Sequence, residues 1–208
     1  MPLWGTAHAA ATNKPKFLPA SEDSKYNKAD CYATQSGWVM EAGHPSSGNG
    51  NTGATPEVLV AIGDLAGSTD TTGLRAPTVT AMRFVIGSTS TTDFTAGSSA
   101  QTVTVEITWD EEVTVAGSPQ VVVANGNQSS DGDGNATLTY TATGSTANRK
   151  RFTNASLTFS TNDVYTLGGS NISLNSGTIS DTVRGGTAQA ASLVLSGLTA
   201  KTKTVVAS

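Results

Sequence analysis

Disulfides, membrane spans and dense charge are what this chain lacks. Its 208 residues hold one cysteine, Cys31. No internal disulfide can form, which excludes a disulfide-stapled secreted scaffold. No apolar run approaches the roughly 20 residues of a membrane-spanning helix. Charged residues are 13% of the chain, about half the ~25% usual in soluble domains. The balance is 12 basic against 16 acidic side chains, a net −4, so the dense basic face of a nucleic-acid binder is missing. The opening MPLWGTAHAA has neither the Lys/Arg-led start nor the long apolar core of a secretion signal. Folding in a reducing cytoplasm is the expectation. Catalytic patterns are lacking too: there is no H-E-x-x-H, G-x-S-x-G or phosphate-loop sequence. His8 and His44 show no zinc-like spacing to Cys31 or to a carboxylate. The expectation is a protein that is not an enzyme and holds no cofactor.

Thr, Ser, Gly and Asn fill the space that charge leaves. Such residues cover the outward strand faces of extracellular and virion β-proteins. A particle assembled in a host cytoplasm and then released fits both this surface and the single cysteine.

The strand signal is clearest from Gln101 to Gly126. Val103, Val105, Ile107 and Trp109 alternate with Thr102, Thr104, Glu106 and Thr108. Period two places the first set toward a core and the second toward water. Similar short runs recur at Val79–Ile86, Val113–Val115, Gln120–Ala124, Ala136–Thr143, Ser156–Ser160, Val164–Leu167, Ile172–Leu174 and Ala190–Leu195, separated by Gly, Asn, Asp and Pro. Many short strands so punctuated predict an all-β antiparallel sandwich over residues 76–197. Residues 198–208 form a tail, read as a final edge strand or a frayed end.

Residues 1–70 read as an N-terminal arm and a small β unit for docking. The first 35 or so residues are irregular, and Pro2, Pro15 and Pro19 forbid a long helix. Their aromatics are spaced apart. The pattern suggests an extended arm that orders on a partner, with Trp4, Phe17, Tyr26, Tyr32 and Trp38 as anchors. The competing reading is a disordered tail. Gly37–Glu41 is a strand candidate. Pro56–Ile62, PEVLVAI, is an almost continuous apolar run, hence buried on both faces or packed at an interface.

Three polar clusters invite chemistry. Asp131, Asp133 and Asn135 alternate with glycines and form a weak calcium candidate; a hairpin loop uses the same residues. An EF-hand would need a carboxylate where Ala142 stands. Asp110-Glu111-Glu112 reads as a solvated turn between strands. Arg149-Lys150-Arg151 either contacts an acidic neighbour or forms a solvated edge that discourages strand-on-strand aggregation, the second being preferred.

Two resemblances add to these readings. The set MPLWG, NKPKFLP, Gly37-Trp38-Val39 and Glu57-Val-Leu-Val-Ala resembles the N-terminal regions of virion structural proteins of marine contractile-tailed cyanophages. The set Val103–Trp109, Glu112-Val-Thr-Val, Gly117-Ser-Pro, Gln120–Ala124, Asn125-Gly126 and Leu138-Thr-Tyr resembles bacterial immunoglobulin-like repeats. Together they imply a capsid decoration protein. It would bind the major capsid protein or other virion proteins, be multimeric on the particle, and carry an immunoglobulin-like sandwich. Host-surface glycans are a further partner class; nucleic acid and membrane are not. The alternatives are a neck, tail or fibre component, or a cell-surface adhesin module.

Overall fold

A computed structural model describes residues 30–34, 36–44, 50–61, 76–85, 94–126, 134–182 and 188–207. Among these there is no α-helix. The chain is all-β, with antiparallel and mixed sheets compatible with a β-sandwich.

The strands are β1 (Cys31–Thr34), β2 (Gly37–Met40), β3 (Glu57–Ala61), β4 (Val79–Val85), β5 (Phe94–Thr95), β6 (Gly97–Trp109), β7 (Val113–Ala116), β8 (Gln120–Asn125), β9 (Ala136–Thr141), β10 (Arg149–Phe159), β11 (Val164–Leu167), β12 (Thr178–Asp181) and β13 (Lys201–Val206). They form a three-stranded sheet β1-β2-β3, an eight-stranded sheet β4-β6-β10-β9-β8-β11-β13-β5, and the pair β12-β7.

The chain divides into two compact units that interleave along the sequence. One takes the N-terminal part to Thr80 together with Thr108–Val115 and Ile179–Ser192; the other takes Ala81–Ile107, Ala116–Thr178 and Leu193–Ser208.

In the first unit, β1 and β2 form a tight hairpin registering Cys31 with Met40 and Thr34 with Gly37. Thr34 closes it, its Oγ1 accepting from Ser36 N at 3.2 Å. Cys31, Ala33 and Trp38 are fully buried in this unit, as is Trp109. The Trp109 indole N–H donates to Ser192 O at 3.1 Å, giving its one polar atom a partner. The run Ala190–Leu195 does not form a strand: Ala190 makes a single bridge to Ser180, and Ser192 N donates to Pro77 O.

In the second unit the alternation of β6 holds for the apolar set, since Val103, Val105 and Ile107 are wholly buried. The polar set departs from expectation. Thr102 is exposed, but Glu106 is only 3% exposed. The guanidiniums of Arg83, Arg149 and Arg151 cover it. Four aromatics cluster nearby. Phe94 stacks on Phe159 at 4.7 Å and meets Phe84 and Tyr165 edge-on at 5.8 and 6.0 Å. This cluster explains why a two-residue strand, β5, persists beside β13. The tail is neither frayed nor an edge. β13 registers along its length with β11, Val164 opposite Thr204, and pairs in parallel with β5. Ile172–Leu174 contributes one bridge, Ser173 to Gln120.

Candidate functional site

Among the described residues the small sheet leaves one edge open. β2 lies in the middle, with β1 and β3 on either side. The outer edge of β1 is engaged: Ala33 N donates to Asp110 O at 2.7 Å and Ala33 bridges Glu111. The outer edge of β3 pairs with nothing among the described residues. Its pairing with β2 contains a bulge. Trp38 faces Val60 and Val39 faces Val58, so Leu59 is the extra residue. An extra residue breaks the alternation locally. Val58 and Leu59, adjacent in sequence, are both open to water, at 48% and 37%, on a strand whose every residue but Val60 is exposed. The apolar run read as buried or interfacial is thus the most exposed strand of the unit.

The predicted aromatic anchors fare differently. Trp4, Phe17 and Tyr26 lie outside the described residues. Tyr32 and Trp38 are buried in the chain's own core, at 3% and 0% exposure. The two rings point to opposite faces of the β1–β2 hairpin, Tyr32 beside Val39 and Trp38 beside Ala33, and both faces are buried.

Histidine chemistry was missed from the sequence. His44 Nε2 lies 2.6 Å from Asp30 Oδ2, and both side chains are nearly buried. The pair forms because Glu41 N bonds Asp30 O and His44 N bonds Glu41 O, folding the segment back. Gly43 makes the turn at φ 72°, and a Cβ there would strike Thr52. Fourteen residues separate the pair, a spacing that no motif marks.

The Asp110-Glu111-Glu112 run is not a solvated turn. Asp110 and Glu111 are each 1% exposed. Asp110 has work to do: its Oδ1 accepts from Thr78 N at 2.6 Å. Glu111 does not, for its Oε1 is buried with no hydrogen-bond partner. Burial first, then the nearby charges of Asp110 and Asp181, push the Glu111 carboxyl up to about 8. Burial also raises Asp181, opposed by the backbone N–H of Gln189. A neutral Glu111 is the form this environment favours. Such a carboxyl can act as a general acid when substrate reaches it, but at 1% exposure nothing in solution does.

Among the described residues no group of three or more His, Cys, Asp or Glu side chains is placed to hold a metal ion. Asp131 and Asp133 lie outside those residues. Asn135 is exposed, and its Oδ1 accepts from Asn125 N at 3.0 Å across the hairpin.

The Arg149–Arg151 segment does contact an acidic neighbour. Arg151 Nε donates to Glu106 Oε2 at 3.0 Å, and Arg149 Nη1 lies 3.7 Å from Oε1. Arg83, from β4, completes the cage at 2.6 Å. Lys150 points the other way, donating to Thr146 O at 2.5 Å.

Comparison with family models, curated proteins and solved structures finds no match to this chain.

Proposed function

We propose that this chain is a non-enzymatic virion structural protein, a capsid decoration protein that docks on the major capsid protein through its small β unit and carries an immunoglobulin-like sandwich. The observation that carries the reading is β3: an edge strand whose outer side pairs with nothing among the described residues, with two adjacent exposed apolar residues, Val58 and Leu59. Such an edge is a template for strand addition by another chain. Main-chain hydrogen bonds would supply affinity, and covering the half-exposed Val58 and Leu59 adds about 1 kcal/mol each. Repeated over a symmetric lattice, such modest contacts hold firmly through avidity. The resemblance of the first third to cyanophage virion proteins supports a phage particle as the setting.

Electron microscopy of the intact particle tests the reading. Density for this chain at every equivalent lattice position supports decoration. Density confined to neck, tail or fibre, or absent from the particle, rejects it.

A further inference from the structure

Three guanidiniums surround one carboxylate on the face of the second unit opposite Val103, Val105 and Ile107. Glu106 Oε1 accepts from Arg83 Nε at 2.8 Å, and Oε2 from Arg151 Nε at 3.0 Å. With Arg149 Nη1 at 3.7 Å from Oε1, three guanidiniums meet this one carboxylate, in a chain whose net charge is −4. Glu106 has committed both oxygens. Arg83 and Arg151 engage Glu106 with only part of the roughly five N–H groups that each guanidinium carries. The side chains of Arg83 and Arg151 remain 36% and 31% exposed. Their outer edges face water, where an incoming anion can replace it.

The arrangement is held in advance of any ligand. Glu106 fixes the guanidiniums from below, lowering the ordering cost of binding. Gly144, in the β9–β10 turn at φ 71°, lets Arg151 lie close, because a Cβ there would run into the guanidinium. The charge continues into a row of hydroxyls. Thr141 registers opposite Arg151 and Thr139 opposite Thr153, and Thr153 Oγ1 lies 3.1 Å from Thr104 Oγ1.

We infer that this face binds an anionic polysaccharide, with one carboxylate or sulfate seated on Arg83 and Arg151 and adjoining sugar hydroxyls on the threonine row. Planar forked donors match such oxyanions two bonds at a time. Short hydroxyls along strands suit an extended, hydroxyl-bearing chain. The inference does not depend on the docking edge, which lies in the other unit, so the two can fail separately.

Calorimetry of the full chain against dextran sulfate, polygalacturonate, neutral dextran and poly-glutamate tests it. Both anionic polysaccharides bind and neutral dextran does not. Arg83→Gln and Arg151→Gln each weaken binding by roughly fivefold or more, as loss of a charge-assisted fork implies. Thr141→Glu keeps the cage intact and sets a competing carboxylate opposite Arg151. It weakens binding similarly with an unchanged melting temperature, and it decides the matter if an arginine variant fails to fold. Lys203→Gln, a charge change on β13, has little effect. No binding by either anionic polysaccharide overturns the inference. So does undiminished binding by Thr141→Glu, or an equal loss in Lys203→Gln, which would mean diffuse charge. Poly-glutamate binding as tightly as the polysaccharides overturns it in favour of an acidic peptide.

Discussion

Glu111 is held neutral by its surroundings, and that sets a pH dependence. Its carboxyl moves from 4.5 in the ordinary state to about 8 in the fold. Between those values the unfolded chain releases a proton that the folded chain keeps. Stability from this group is therefore full below the lower value and is lost as pH rises through the upper one. The loss is on the order of a few kcal/mol. Melting temperature should fall between about pH 4.5 and about pH 8, and Glu111→Gln should remove the larger part of that fall. An identical fall in the variant would contradict this account. Little of it was legible in sequence. Asp110-Glu111-Glu112 looks like any polar corner, because what desolvates Glu111 comes from residues distant along the chain. Glu106 teaches the same lesson. Alternation placed it on the polar face correctly, but its partner Arg151 lies 45 positions away. Period-two patterning reports which face a side chain takes, not what covers it.

Elements with their own pattern were readable, and elements defined by pairing were not. β4, β7, β8 and β11 fall where alternation and turn residues put them, to within a residue or two. β5 is too short to show a period and rests on Phe94. Phe94→Ala should cost about 3–5 kcal/mol in urea unfolding, as loss of a buried aromatic does; a cost under about 1 kcal/mol would show that the ring cluster does not hold β5. β13 reads as a tail because Lys201 and Lys203 interrupt its apolar character; its place beside β11 comes from long-range register. The β9–β10 turn depends on Gly144. Gly144→Ala should destabilise the chain by about 1–2 kcal/mol through the positive φ. It should also weaken anionic polysaccharide binding by displacing Arg151. Unchanged stability and unchanged binding would show that Arg151 needs no such space.

At the scale of the whole molecule, the fold class followed from composition and periodicity, while the candidate docking feature did not. PEVLVAI suggested either burial or an interface. Only the structure shows that Val58 and Leu59 both face water, beside the β2–β3 bulge and on a strand exposed along most of its length. The aromatics that seemed made for a partner include two, Tyr32 and Trp38, that the chain keeps for its own core. On the proposed reading, attachment rests on β3. Cosedimentation of the purified chain with cyanophage capsid shells lacking it measures this most directly, comparing the natural sequence with a Val58→Lys, Leu59→Lys double variant. Both positions are solvent-facing, so the variant should melt as the natural chain does. The account predicts saturable sedimentation of the natural chain with shells and retention of the variant in the supernatant. Sedimentation of both alike, or of neither, would contradict it.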